Sequence, residues 1–267
     1  MAWVVAILAV AHSEARSPAG LPSPVMPADL AHVITPYTAA QASASHMIRP
    51  ISADNTVVYE QDFGGGGAPL GVLLGPIGVI ANMKAIKSRT ESEAASLNGK
   101  LPIEPLQLLR AAADAAHFPL APAGTAKAAV IQPALSVASL DGDTIGFAVL
   151  IAVNYNPAGK KWIGRYLYEL NSQMPRSQLA AGLSAEVLDN LRTEAARGMA
   201  EVLRLYLADA HGELAGGETI QFKEKFLNRR FNFKLSAQQI ATPGDRTLLR
   251  LPIAVWSLPT DRVLRDK

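Results

Sequence analysis

The residues able to do local chemistry are few: five histidines, scattered acids and no cysteine. The histidines are His12, His32, His46, His117 and His211, and no two lie three to five apart. A helical pair of imidazole ligands for a metal is therefore absent from the sequence. Without cysteine there is no thiolate zinc site, iron–sulfur cluster, catalytic thiol or disulfide. Asp141 and Asp143 flank Gly142. A calcium loop needs further oxygen ligands at regular spacing, so this triplet reads as a hairpin turn. No metal and no cofactor are expected.

Phosphate loops and nucleophile motifs fare no better. Gly64 to Gly67 are followed by Ala68 and Pro69 rather than by Lys and Ser or Thr. They do not form the G-x-G-x-x-G that opens a dinucleotide-binding helix. There is no G-x-S-x-G elbow. No spacing singles out a carboxylate pair for glycoside chemistry. No catalytic residue is assigned.

Two surfaces remain as candidates for contact. Gly67, Gly71 and Gly75 lie four apart, and Gly78 extends the series. On a helix such spacing lets another backbone approach closely. The segment reads as a contact with a membrane or a second copy, or as a loop and helix buried in the core. Pro69 and Pro76 interrupt it, and Pro76 is expected to kink any helix running through it. The second surface is basic: Lys223, Lys225, Arg229, Arg230 and Lys234 interleave with Phe222, Phe226, Phe231 and Phe233. Such a face suits an anionic ligand, or is the solvated side of a half-buried hairpin.

Composition limits the class of partner. The chain has 267 residues, 49% hydrophobic and 18% charged, with a formal net charge of +2. That is globular material with enough apolar mass for a core. The near balance of charge argues against nucleic acid as a partner. Ala2 to Ala11 is an unbroken apolar run, about half the length needed to cross a bilayer. With small residues at Ala11, Ser13 and Ala15 it reads as the hydrophobic part of a signal peptide, although no Lys or Arg precedes it. A periplasmic or secreted location, with peripheral membrane association, is the corresponding expectation.

The elements that would carry these surfaces can be read from periodicity. Residues 16–54 are rich in Pro, Ala and Ser and read as a tether or as an arm draped on the domain. Residues 55–267 read as one α+β domain. Strands are expected at Asn55–Asp62 and Ala128–Ala138, the latter at an edge or bulge because of Pro133. A doubly covered strand follows at Thr144–Asn154, then an alternating one at Lys161–Leu170, completing an antiparallel meander. Helices are expected over Lys84–Asn98, Glu104–His117 and Ser184–Ala210. The last has Ser184 as N-cap and an apolar stripe through Leu188, Leu191, Ala195, Met199, Val202 and Tyr206. A second hairpin is expected from Glu218–Lys225 and Arg229–Leu235, and a final strand over Thr247–Ser257. The predicted fold is a mostly antiparallel sheet with a long helix in its C-terminal half and one or two further helices packed on it.

The functional expectation follows from what is missing. The sequence reads as an exported, bacterial-type envelope protein, non-enzymatic, acting through contact with a membrane surface or another envelope protein. A homo-oligomer could form through the glycine-spaced segment. Two alternatives stay open: a secreted hydrolase with a site assembled from remote residues, and a small-ligand binding module with a groove between sheet and helices.

Overall fold

The computed structural model describes residues 26–27, 29–37, 48–54, 56–61, 75–141, 143–156, 162–214, 216–224, 226, 235–251 and 254–265, with 75–83 and 141 described by backbone alone. The elements run β1 (His32–Ile34), β2 (Ile48–Pro50), β3 (Val57–Glu60), α1 (Gly75–Leu97), α2 (Pro105–Ala115), β4 (Ala129–Asp141), β5 (Thr144–Tyr155) and β6 (Trp162–Pro175). Then come α3 (Arg176–Ala181), α4 (Ala185–Ala210), β7 (Glu218–Lys223), β8 (Leu235–Ala241), β9 (Arg246–Leu251), β10 (Ala254–Pro259) and β11 (Leu264–Arg265). The architecture is α+β and dominated by one sheet. Its strand order is β11-β7-β8-β9-β10-β6-β5-β4-β3-β2, with β1 added beside β4. Most pairings are antiparallel; β1 and β3 with β4, and β10 with β6, are parallel.

The meander β4-β5-β6 forms the centre, as the alternating and doubly apolar runs require. β5 puts Phe147, Val149, Ile151 and Val153 on one face and Ala148 on the other. Pro133 does not mark a sheet edge. It lies in an interior strand, opposite Ile151 of β5. On its other side, Ile131 bonds to Thr35 beside β1 and Leu135 bonds to Thr56 beside β3. Strand alternation then points the Pro133 nitrogen into the break between these two parallel partners. A missing N–H costs nothing there.

α4 follows its sequence cues closely. The Ser184 side chain accepts from the Val187 N–H at 3.3 Å and caps the helix. Leu191, Ala195, Met199, Val202 and Tyr206 are buried, and Leu188 packs against them half-buried. Gly198 lies on the same face, where a Cβ would sit 2.8 Å from both Tyr168 Cδ1 and Val149 Cγ2. The glycine lets the helix settle directly on β5 and β6. Beyond the helix, Gly212 takes the left-handed conformation, φ +75°. On the exposed side Arg204 pairs with Glu201 at 2.7 Å. Glu194 instead accepts from the Ser172 N–H.

Three expectations are corrected. Pro76 does not kink α1. It is the second residue of the helix, where no intrahelical bond is lost. Thr247–Ser257 is not one strand but two, β9 and β10, paired antiparallel with Leu251 opposite Ala254. Among the described residues the partner of β7 is Leu235–Ala241, a strand that starts where the expected Arg229–Leu235 ends. Of the two readings of the Pro-rich stretch, the described residues 29–37 take the form of an arm on the domain, pairing His32, Val33 and Ile34 with β4.

Two apolar clusters occupy the two faces of the sheet. The larger lies under α2 and α4 and includes Leu109, Ala113, Phe147, Tyr166, Met199 and Tyr206. The other joins Leu140, Leu167, Phe222, Phe226, Leu249, Trp256 and Leu258. Chain reach explains how that face is covered. A single turn of 3-10 helix, Thr260–Arg262, is most of what connects β10 to β11. Across a flat sheet β11 would lie about 19 Å from β10, four steps of ~4.8 Å. The five Cα steps from Pro259 to Leu264 span at most about 17 Å even fully extended, and far less through a 3-10 turn. The β7–β11 half must therefore curl, and the second cluster lies within that curl.

Candidate ligand pocket

Three chain segments meet beside the larger core. The first is the arm leading into β1, held by Met26 N–H to Ala210 C=O at 3.2 Å and by Ala129 N–H to Ala31 C=O at 2.8 Å. The second is the end of α2, where His117 adopts φ +50° and the Phe118 N–H returns to the Ala113 carbonyl at 2.8 Å. The third is the end of α4, closed by the His211, Gly212 and Glu213 N–H groups on the Leu207, Asp209 and Ala208 carbonyls. They border an open pocket of about 240 Å³. Its walls include Leu30 and His32 from the arm, His117 and Phe118 beyond α2, and Leu207 and His211 at the end of α4. Among the described residues, no Asp, Glu, Lys or Arg lines it.

His32 is the buried polar group of this wall, 8% exposed. Its Nε2 lies 2.7 Å from the Tyr206 hydroxyl, which in turn reaches the Met26 sulfur at 3.3 Å. A phenolic O–H donates more strongly to an imidazole nitrogen than to a thioether sulfur, so Nε2 accepts from Tyr206 and the ring proton sits on Nδ1, on the side of the Leu30 carbonyl. Nδ1 is buried and makes no well-formed hydrogen bond among the described residues. The ring packs on Phe118 with centroids 4.5 Å apart. Burial lowers the His32 pKa to about 4, against a smaller opposing effect of the Leu30 carbonyl, so the ring is neutral near pH 7. Burial also raises Tyr206 above the ordinary phenol range.

Beneath this wall lies a second polar group. The Tyr166 hydroxyl donates to Asp209 Oδ2 at 2.7 Å, and Asp209 is ion-paired with Arg250. Arg250 also donates to the Leu214 carbonyl at 2.7 Å. Tyr166 and Tyr206 meet only edge to face, with ring centroids 5.4 Å apart. The two groups do not form a nucleophile–base–acid series.

A third polar cluster pins the curled half. Arg262 Nη1 is 2.5 Å from Glu169 Oε1 and 3.0 Å from the Leu170 carbonyl, and Nη2 is 2.6 Å from the Asn171 carbonyl. Arg246 donates to the Glu169 and Ser257 carbonyls and lies 3.8 Å over the Tyr168 ring. Glu169 Oε2 is buried with no hydrogen-bond partner among the described residues. Burial, reinforced by Glu224, pushes the Glu169 carboxyl up to about 7, against the pull of Arg262 and Arg246. This cluster lies inside the fold rather than in a cleft, and its geometry is that of a structural clamp.

The surfaces singled out in the sequence fall elsewhere. Gly67 and Gly71 lie outside the described residues, as do Lys225, Arg229, Arg230 and Lys234. Gly75 and Gly78 lie in the first turn of α1, where the backbone alone is described. Lys223 ends β7, opposite Leu264, and is half-buried next to the fully buried Phe222. The glycine series and the basic cluster therefore lie for the most part outside the described residues. Among the described residues no three His, Asp or Glu are grouped to hold a metal, and no helix is long and apolar enough to cross a membrane. The pocket itself gave no signal in the sequence. Its three histidines lie far apart in the chain, and only the topology places them on one cavity. In comparisons with protein-family models, curated proteins and solved structures, the chain matches none.

Proposed function

We propose that the protein is a non-catalytic, exported envelope protein whose folded unit holds a small ligand in the pocket between its arm and the ends of α2 and α4. The observation that supports this reading is an open pocket of about 240 Å³, its wall mixed apolar and polar without a charged side chain among the described residues, with a buried, neutral His32. Concave, mostly apolar sites with a few convergent polar groups and a perturbed histidine are the usual form of small-molecule sites. The size suits a small ring compound, since a cavity of about 150 Å³ accepts benzene. The apolar run at Ala2–Ala11 supports export, and the glycine-spaced segment from Gly67 to Gly78 is the proposed contact with a membrane surface or a second copy.

The binding reading is tested with phenethyl alcohol as probe. Saturation-transfer NMR on the wild-type protein should show contact, and Ala116→Trp, at the exposed end of α2, should abolish it without lowering the melting temperature. Absence of contact at millimolar probe sinks the reading. Export is tested by N-terminal sequencing of protein from fractionated cells: the chain should begin near Glu14 or Arg16. An intact Met1 on cytosolic protein overturns it.

A further inference from the structure

Helix α1 is fastened to the fold at its C-terminal end. Among residues 84–97 its buried side chains are Thr90, Ala94 and Leu97, a stripe at helical spacing over the last two turns. Two ion pairs hold the same end, Glu91 with Arg49 at 3.1 Å and Glu93 with Arg176 at 2.6 Å. The Tyr59 hydroxyl also donates to Glu93. One step further along the stripe the burial stops. Lys84, Ala85, Lys87, Ser88 and Arg89 are exposed, and Ile86 is half-buried. A helix exposed around nearly its whole circumference has left the body of the domain. At about 1.5 Å of rise per residue, Gly75 lies about 22 Å along the axis from Thr90. The sequence of that far end, 75–83, carries Ile77, Val79, Ile80 and Met83 and no charged residue. Directly after it, 84–90 carries Lys84, Lys87 and Arg89 and no acid.

On the reading that the glycine-spaced segment makes an intermolecular contact, we infer that its partner is an anionic phospholipid surface, met by the apolar end of α1 with Lys84 and Lys87 at the headgroups. Charge complementarity selects this partner. Along the helix the order is apolar residues, then cations, then acids, which is the order of hydrocarbon, phosphate and water across a leaflet. The acids do not face the phosphates, because Glu91 and Glu93 are turned back onto Arg49 and Arg176 of the fold. Arg89 is held by Glu93 at 2.9 Å, whereas Lys87 keeps only a 3.9 Å approach to Glu91. The long lysine stems can lie along the apolar turn while their ammonium groups reach phosphate. Length agrees as well. Residues 75–83 make about 13 Å of helix, within the ~15 Å that is half of a ~30 Å hydrocarbon core. Between two copies lying side by side, the same lysines would repel.

Flotation of the full chain with phosphatidylcholine vesicles, with and without an equal part of phosphatidylglycerol, tests this at low salt. The wild type should bind the mixed vesicles roughly ten-fold more tightly than phosphatidylcholine alone. Lys84→Gln combined with Lys87→Gln should lose most of that difference. Ile80→Glu should stop flotation at an unchanged melting temperature. Equal binding to both kinds of vesicle overturns the inference. Flotation retained by Ile80→Glu assigns the lipid contact to another segment and overturns it as well. A lowered melting temperature for Ile80→Glu places that residue in the core, with the same consequence. Sedimentation of the same proteins separates this inference from the contact reading beneath it. A wild-type dimer that Ile80→Glu splits, without flotation, keeps the contact but makes a second copy the partner. Neither flotation nor a dimer overturns both.

Discussion

Arg262 reaches Glu169 across the full depth of the curl, Nη1 to Oε1 at 2.5 Å, although 92 residues separate Arg262 from its next acceptor, Leu170. The pair fastens the 3-10 turn between β10 and β11 onto β6. Glu169 is 1% exposed at its side chain, and Arg262 is 21% exposed. Removing one member of such a pair strands the other. Arg262→Ala should cost about 3 kcal/mol at pH 8. The loss should be smaller at pH 5, where a stranded Glu169 is protonated. Urea unfolding at the two pH values measures this. An equal loss at both would mean that the charge of Glu169 is not what Arg262 balances.

Glu169 and His32 should bend the pH dependence of stability in opposite directions. The folded pKa of Glu169 is raised to about 7, so the folded state holds its proton more tightly than the unfolded chain. Stability from this group is complete below the ordinary carboxyl range and is lost as pH rises through about 7. His32 is lowered to about 4, so its contribution is complete above 6.5 and lost as pH falls towards 4. Each shift corresponds to about 3 kcal/mol at most. Between pH 4.5 and 6.5 the two nearly cancel, giving a flat profile for the pair. Glu169→Gln should uncover a rise in stability with pH over that range, and His32→Gln a fall. Parallel profiles for the two variants would contradict the assignments.

Gly198 is held by contact rather than by backbone conformation. Alanine improves a helix interior by about 1 kcal/mol. Here its methyl would meet Tyr168 and Val149 at 2.8 Å. Gly198→Val should destabilise by about 1–3 kcal/mol through overpacking. Val149→Ala, which removes one of the two clashing methyl sources, should recover part of that loss in the double variant. Additive losses, checked by denaturant midpoints, would place the strain elsewhere.

The break beside Pro133 predicts unequal effects of two neighbouring positions. Pro133→Ala should change stability by less than about 1 kcal/mol, because its new N–H points into the gap between β1 and β3. Ala134→Pro removes an N–H aimed at β5, opposite Leu150, and should cost about 3 kcal/mol or more. Amide exchange and melting of both variants test the register.

The legible part of the fold is the part made by local pattern. The stripe from Leu188 to Tyr206, the Ser184 cap and the close antiparallel pairing of β4 with β5 each depend on residues near one another in the chain. The β9–β10 hairpin was obscured because Pro252 reads as an interruption of a strand as readily as a turn. Pro133 reads as an edge marker because its neighbours on both sides come from remote segments. The pocket was illegible for the same reason. Nothing local to His32 distinguishes it from any histidine in a Pro-rich stretch. It meets Tyr206, 174 residues away, and Tyr206 in turn reaches the Met26 sulfur, both of them tertiary contacts. Glu169 was readable as lying on the face opposite Tyr168, but its burial against Arg262 depends on the curl.

The parallel seating of β10 beside β6, Val255 opposite Tyr166, also sets an order of assembly. The meander and α4 are consecutive in the chain and can form from short loops. β10 can dock only after α3, α4, β7 and β8 have been carried past it, which imposes a long loop closure before any contact rewards it. Until then Trp256 and Leu258, which face the inside of the curl, remain in water. Refolding should therefore be slow in its last phase and sensitive to protein concentration, since an undocked β9–β10 hairpin offers the same open edge to another molecule as to its own β6.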